Sequence, residues 1–203
     1  MHGLHEQLQS RLQGRVCVVG VGNVDAGDDA FGVRLAEELL ERSEGRRTKG
    51  GIPHDSLADD IAMVAPRTSH LAPDCFVIIA GMTPERFVGR LIDAGYDHVI
   101  FLDAVDCGGA PGSAVLLDSR QMAARFPQVS THKISLGLLA RCLEANGATR
   151  ACLLGVQPQS LKPGADLTPA IQTTLHLLAG VLSETLRCDA RPPALPGPQP
   201  AIA

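Results

Sequence analysis

Residues 15–40 read RVCVVGVGNVDAGDDAFGVRLAEELL, and this stretch decides the fold. It opens with a short apolar run that ends at Gly20 and predicts a buried strand. Its second half carries apolar residues at positions 31, 35, 36, 39 and 40, which is the spacing of a helix with one apolar face. A strand, a glycine-rich turn and a helix in this order predict the start of a β-α-β unit.

The rest of the chain continues this alternation of short apolar strands and helices. Helices are predicted at 83–95, 132–145 and 168–186, and further strands at 75–80, 98–102, 113–117 and 151–156. This order predicts an α/β fold, a three-layer sandwich with a mostly parallel five-stranded sheet and helices on both faces. In such sheets ligands bind at the carboxyl ends of the strands, near the point where the strand order reverses.

The domain organisation follows from length and local composition. A chain of 203 residues suits one domain, and we predict a single α/β domain over residues 1–190, opened by a short amphipathic helix. Residues 43–72 are polar and predict a surface insertion, with one short helix near 56–64. Residues 191–203 are rich in proline and predict a disordered tail.

Composition argues against several classes of partner. The net charge of −4 provides no basic surface for a phosphate backbone, and 3% aromatic residues offer little for base stacking, so no nucleic acid is expected. No apolar run is long enough to cross a bilayer, and the first residues lack the apolar stretch of a secretory signal. We therefore expect no membrane partner and a cytoplasmic location.

The cysteines do not follow a metal-binding or disulfide pattern. None of the six forms a CxxC pair, and most lie in apolar strings, which predicts reduced, buried thiols. Cys107, in a glycine-rich turn, is the nearest candidate for a nucleophile, but no base and orienting acid accompany it in the pattern of a catalytic triad.

The glycine-rich turn does not suit a nucleotide. Gly20 and Gly22 begin like a dinucleotide fingerprint, yet the third glycine and the lysine of a phosphate-binding loop are both missing. Asp28 and Asp29 stand where the helix begins, and their charges would repel a pyrophosphate. They could instead face a cation. In the alternative without a ligand, Asp28 caps the helix and Asp29 lies in its favourable first turn.

Two further side chains are expected at the same edge of the sheet. Asp103 directly follows the strand at 98–102, although it could equally start a turn with Asp106. His132 lies near a helix start capped by Ser130 or Thr131, where a simple polar contact is the alternative. Together with Asp29, they offer two carboxylates and an imidazole, a ligand set that suits a divalent transition metal ion with an open position.

The chain resembles the nickel–iron hydrogenase maturation endopeptidases in four motifs that occur in the family's order. They are Val18-Val-Gly-Val-Gly-Asn23 with Gly27-Asp-Asp-Ala-Phe-Gly32, Leu102-Asp-Ala-Val105 with Pro111-Gly112, Thr131-His-Lys133 with Leu136-Gly-Leu138, and Gly155-Val-Gln-Pro-Gln-Ser-Leu161 with Leu167-Thr-Pro169. Each motif is weak by itself, and the four in order are a specific match.

The resemblance implies an aspartic-type or metal-dependent endopeptidase. Its substrate would be a hydrogenase large-subunit precursor, which loses a C-terminal extension once nickel is in place. By this resemblance Asp29, Asp103 and His132 contact the nickel, and the two acids are catalytic. The nickel belongs to the precursor and would bind the enzyme only transiently.

Substrate contact is implied for residues 81–83, namely Gly81, Met82 and Thr83, where this sequence departs from the family's paired glycines. Two mechanisms are open: the metal polarises the scissile carbonyl or a water, or a carboxylate acts as a general base. The alternative functions are a non-catalytic nickel or assembly chaperone of the same fold, and processing of a different metalloprotein.

Overall fold

The computed structural model describes residues 2–47, 68–72, 75–126, 135–145 and 149–188. Two short 3-10 turns, at Gly27–Ala30 and Pro84–Phe87, precede the second and third helices. None of the helices in these ranges is long and apolar enough to cross a membrane. The elements are α1 (His2–Arg11), β1 (Val16–Val21), α2 (Phe31–Arg47), β2 (Thr68–Ala72), β3 (Cys75–Gly81), α3 (Val88–Ala94), β4 (His98–Ala104), β5 (Ala114–Asp118), α4 (Ser119–Arg125), α5 (Leu136–Ala145), β6 (Arg150–Val156) and α6 (Pro169–Cys188).

The strands form one sheet in the order β2-β3-β1-β4-β6-β5. The four central strands are parallel, whereas β2 and β5 run antiparallel at the two edges. All five predicted strands are present, and the α/β sandwich with a mostly parallel sheet is confirmed. The sheet holds one strand more than predicted, because β2 joins the edge of β3.

The additional strand lies inside the segment that the sequence marked as a polar surface insertion. At its start, α2 continues to Arg47, and at its end residues 68–72 form β2. Both ends of the predicted 43–72 insertion therefore belong to regular secondary structure, and residues 48–67 between them lie outside the described residues. An edge strand pairs through its backbone and needs no apolar pattern, so the polar composition gave no sign of it. The helix predicted near 56–64 and the tail at 191–203 lie outside the described residues.

Side chains alternate along each strand and divide the core into two halves. On β1, Val16 and Val18 face one side, while Cys17 and Val19 face the other. The first half packs under α1, α2 and α6 and includes Leu12, which is fully buried as the predicted N-terminal helix requires. The second half packs under α3, α4 and α5. Helices thus cover both faces and leave the strand ends to form a site.

Several helix limits follow from capping. Gly95 ends α3 with φ of 62°, as predicted. Thr83 stands before the 3-10 turn at Pro84–Phe87 instead of before α3, and its side chain makes no cap bond there. The cap of α5 is Ser135, whose Oγ accepts a hydrogen bond from the N–H of Leu138 at 3.0 Å. The sequence had favoured Ser130 or Thr131, which lie outside the described residues.

The short helix α4 was not predicted. Asp118 and Gln121 form a reciprocal capping box at its start, with each side chain accepting from the backbone N–H of the other. Seven residues are too few to show the helical spacing of apolar residues, so the capping box was the only sign of this helix in the sequence.

Four of the cysteines behave as predicted. Cys17, Cys75, Cys107 and Cys152 are buried and not joined in disulfides, whereas Cys142 is exposed on α5. Burial raises the pKa of Cys17, of Cys75 and of Cys152 to about 12, so these thiols stay protonated at neutral pH. They act as small apolar side chains of the core.

Candidate active site

The carboxyl ends of β1 and β4 lie at the switch point of the sheet. The chain leaves β1 to join β3 on one side, and later returns to β4 on the other side. Loops therefore diverge above these two strands and leave a crevice, which is where α/β sheets bind ligands. A cavity of about 450 Å³ opens here.

Asp29 enters this cavity from the 3-10 turn that follows β1. Its Oδ2 accepts a hydrogen bond from the N–H of Asn23 at 2.9 Å, and its own N–H donates to the carbonyl of Ala26 at 3.1 Å. The side chain is half-buried. The loop backbone thus orients Asp29, which has a place in the cavity as well as at a helix start.

Asp103 enters the same cavity from the end of β4. It pairs in register with Gly155 of β6 and is half-buried. The alternative turn belongs to Asp106, whose Oδ1 accepts a hydrogen bond from the N–H of Gly108 at 3.2 Å. Asp103 is therefore a strand-end acid of the cavity that Asp29 also lines.

His132 lies outside the described residues, so its predicted place in the site stays a prediction. The cavity wall resumes three residues later, at Ser135, Leu136 and Gly137. Within the described ranges, no group of three or more His, Cys, Asp or Glu side chains could hold a metal ion.

The three residues predicted to contact substrate differ in their positions. Met82 lines the cavity and is 56% exposed. Gly81, with φ of 56°, accepts a hydrogen bond from the N–H of Gly22 at 3.0 Å and so joins the ends of β1 and β3. Thr83 is exposed and is not part of the cavity lining. Of these three residues, Met82 is the one exposed at the cavity.

Glu85 is a third acid of the cavity, and it was not predicted from the sequence. It lies in the 3-10 turn after β3, where the pattern had suggested only the first turn of a helix. The rule that strand ends carry the site would have found it. No Lys, Arg or His of the described residues lines the cavity, so its field favours cations.

Asp28 does not cap a helix, in contrast to the alternative considered from the sequence. It is fully buried, and its carboxylate accepts hydrogen bonds from Gln159, Ser160 and Thr168 in the segment after β6. Burial raises the pKa of Asp28, but the hydrogen bonds to its carboxylate lower the pKa by more. The pKa of Asp28 therefore lies below the ordinary 3.8. Asp28 therefore stays ionised.

The glycines of the turn serve backbone packing. A Cβ at Gly32 would overlap the carbonyl oxygens of Val21 and Leu102, and a Cβ at Gly22 would overlap the carbonyl of Asp29. Gly22 also has φ of 131°. The glycine pattern therefore reflects the close approach of α2 to the ends of β1 and β4.

Cys107 is not placed as a nucleophile. Its N–H donates to Oε1 of Gln157 at 2.8 Å, and its carbonyl accepts from Nη2 of Arg125 at 2.8 Å. Its side chain is buried and lies outside the cavity lining. The two acids that the sequence selected are therefore better placed for chemistry.

Comparison with known proteins agrees with this fold. The family model described as "HycI: Hydrogenase maturation protease" matches residues 66–184, more than half of the 203 residues. The Hydrogenase 2 maturation protease of Escherichia coli K12 is 29% identical over 167 residues, covering 80% of this chain and 84% of that protein.

Two solved structures are similar over most of their length. The [NiFe] hydrogenase maturation protease HycI of Thermococcus kodakarensis superposes with a TM-score of 0.67 and 27% identity, covering 89% of this chain and 98% of the other. The hydrogenase maturating endopeptidase HybD of E. coli gives a TM-score of 0.56 and 26% identity, covering 84% and 93%. The chain belongs to the hydrogenase maturation protease family.

Proposed function

We propose that this chain removes a C-terminal extension from the nickel-loaded large-subunit precursor of a [NiFe] hydrogenase. The observation that carries the proposal is the meeting of Asp29 and Asp103 at one cavity of the switch point. The Thermococcus relative, described as a [NiFe] hydrogenase protease, supports the class of substrate. The unbridged cysteines of the described residues agree with the cytoplasm as the compartment.

In this proposal Asp29 and Asp103 recognise the nickel of the precursor by coordinating it. Carboxylate oxygens are suitable ligands for a divalent transition ion, and the cavity is acidic. Asp29 uses Oδ2 to accept from Asn23, and within the described residues its Oδ1 has no hydrogen-bond partner. We propose His132 as the nitrogen ligand, since it lies three residues before Ser135 of the cavity wall and the chain spans at most about 11 Å over three residues.

The acids also suit hydrolysis by water. A carboxylate of Asp29 or Asp103 can accept a proton from a water as its oxygen attacks the scissile carbonyl carbon. The C–N bond then breaks, and the proton passes to the leaving amine. The nickel, when bound, supplies Lewis acidity. A mechanism that uses the carboxylates is supported by the poor placement of the possible nucleophiles. Cys107 is buried outside the cavity lining, and the Oγ of Ser135 already caps α5.

Mass spectrometry of the precursor tests this function. We expect incubation with the protein to shorten the nickel-loaded precursor by one C-terminal fragment, and to leave the nickel-free precursor intact. Equal cleavage of both forms would show that the protein does not recognise nickel in the precursor. A precursor that binds and keeps its mass would instead favour the non-catalytic assembly role.

A further inference from the structure

Two loops at the carboxyl edge of the sheet are held together by one buried carboxylate. We call residues 22–30 the β1–α2 loop and residues 157–168 the β6–α6 loop. Oδ2 of Asp28 accepts from the N–H of Gln159 at 2.8 Å and from the N–H of Ser160 at 2.9 Å. From Thr168, the N–H donates to Oδ1 at 2.7 Å and Oγ1 donates to Oδ2 at 3.0 Å.

Backbone contacts reinforce this link between the two loops. The N–H of Asp28 donates to the carbonyl of Ser160 at 2.9 Å, and the N–H of Gly164 donates to the carbonyl of Asp25 at 2.7 Å. A Cβ on Gly27 would lie 2.7 Å from the carbonyl oxygen of Ser160, so the backbones are in direct contact. A shift of one loop must therefore move the other.

Asp28 and Asp29 are neighbours on one 3-10 turn, and their side chains lie in different surroundings. Asp28 is fully buried against the β6–α6 loop, whereas Asp29 is half-buried and lines the cavity. Because the turn has only four residues, holding the Asp28 carboxylate fixes the backbone that carries Asp29. A buried carboxylate with four donors holds position well, since leaving any of these donors unpaired would be costly.

We infer that Asp28 is a positioning residue for the reaction, which keeps Asp29 in the cavity by anchoring the 3-10 turn to the β6–α6 loop. Asp28 itself is fully buried and is not part of the cavity lining. The inference rests on the proposed function for its catalytic consequence, and on the described hydrogen bonds for its structural part.

Asp28→Asn is the variant that weakens the anchor without changing the volume of the side chain. If the new amide nitrogen takes the place of Oδ2, it faces the N–H groups of Gln159 and Ser160; if it takes the place of Oδ1, it faces that of Thr168. In both orientations at least one backbone N–H loses its acceptor. Thr168→Val is a milder variant, because it keeps the N–H bond and loses only the hydroxyl bond.

Asp25→Asn is the matched control. Asp25 is an exposed acid of the same loop, and its contact with Gly164 uses the backbone carbonyl. The substitution removes the same charge three residues away and leaves the anchor intact. We expect this control to behave as the unaltered protein does.

Two measurements decide the inference. Amide hydrogen exchange by NMR follows the N–H of Asn23, which is protected by its bond to Asp29 and so reports the position of that side chain. We expect Asp28→Asn to speed exchange at Asn23 and at Ser160. Steady-state cleavage of the nickel-loaded precursor should show kcat lowered by about 10–100-fold with KM unchanged. The same changes should be smaller in Thr168→Val.

The outcomes separate this inference from the proposed function. Wild-type kcat and wild-type exchange at Asn23 in Asp28→Asn, with faster exchange at Ser160, would show that the anchor is merely structural and would overturn the inference. If the unaltered protein fails to cleave the precursor, the proposed function fails, and exchange at Asn23 still decides whether Asp28 positions Asp29. Should Asp28→Asn lose protection throughout β1 and β4, the decision passes to Thr168→Val.

Discussion

Asp103→Asn is expected to slow cleavage of the nickel-loaded precursor by about 10²–10⁴-fold, the contribution usual for a positioned acid or base. The substitution keeps the shape of a side chain at the end of β4 and removes its charge from the cavity. Asp29→Asn should have an effect of the same order. Because the two carboxylates are proposed to act on one centre, the double variant should be little slower than either single one. Mass spectrometry of the precursor over time measures all three rates.

Two other acids provide the controls for this experiment. Asp106→Asn removes an exposed charge just beyond β4 and should leave the rate unchanged. Glu85→Gln removes a charge from the same cavity, and it should have a smaller effect than Asp103→Asn if the field alone is altered. If Asp29→Asn or Asp103→Asn cleaves at the rate of the unaltered protein, that residue has no role in the reaction.

The central part of the fold could be predicted because burial leaves a strong pattern. Strands β1, β3, β4 and β6 are covered by helices on both faces, so they read as short apolar runs. Edge strand β2 pairs through its backbone and left no such run. Helix α4 has only seven residues, which are too few to show the helical spacing of apolar residues in the sequence. The two missed elements, β2 and α4, are defined by backbone pairing and by a polar capping box, and neither of these leaves an apolar pattern in the sequence.

The positions of two candidate site residues could be predicted in the same way, whereas the predicted place of His132 lies outside the described residues. Asp29 and Asp103 come after two apolar strands whose carboxyl ends lie at the switch point, so their positions along the chain placed both at this edge of the sheet. The role of Asp28 could not be read in this way, since its partner Thr168 lies 140 residues further along. A buried acid and a helix-capping acid look alike in sequence. Glu85 was missed because a local helix signal explained it equally well.

Gly32→Ala is expected to destabilise the protein by about 1–3 kcal/mol, the usual cost of overfilling a packed site. The added methyl group would overlap the carbonyl oxygens of Val21 and Leu102, which belong to the rigid backbone of β1 and β4. The better helix propensity of alanine contributes at most about 1 kcal/mol in the opposite direction. Because Leu102 adjoins Asp103, precursor cleavage should fall as well. Chemical denaturation gives the free energy of unfolding.

Gly180→Ala is the matched control, with the opposite expected sign. Gly180 lies inside α6, and a Cβ there would meet nothing within 4 Å. The substitution should therefore stabilise the protein by about 0.5–1 kcal/mol, through the lower conformational entropy of the unfolded chain. If both variants shift the denaturation midpoint in the same direction, the close approach of α2 to the strand ends is not what requires glycine at position 32. Opposite shifts, with cleavage lowered only in Gly32→Ala, would tie this glycine to the placement of the two acids.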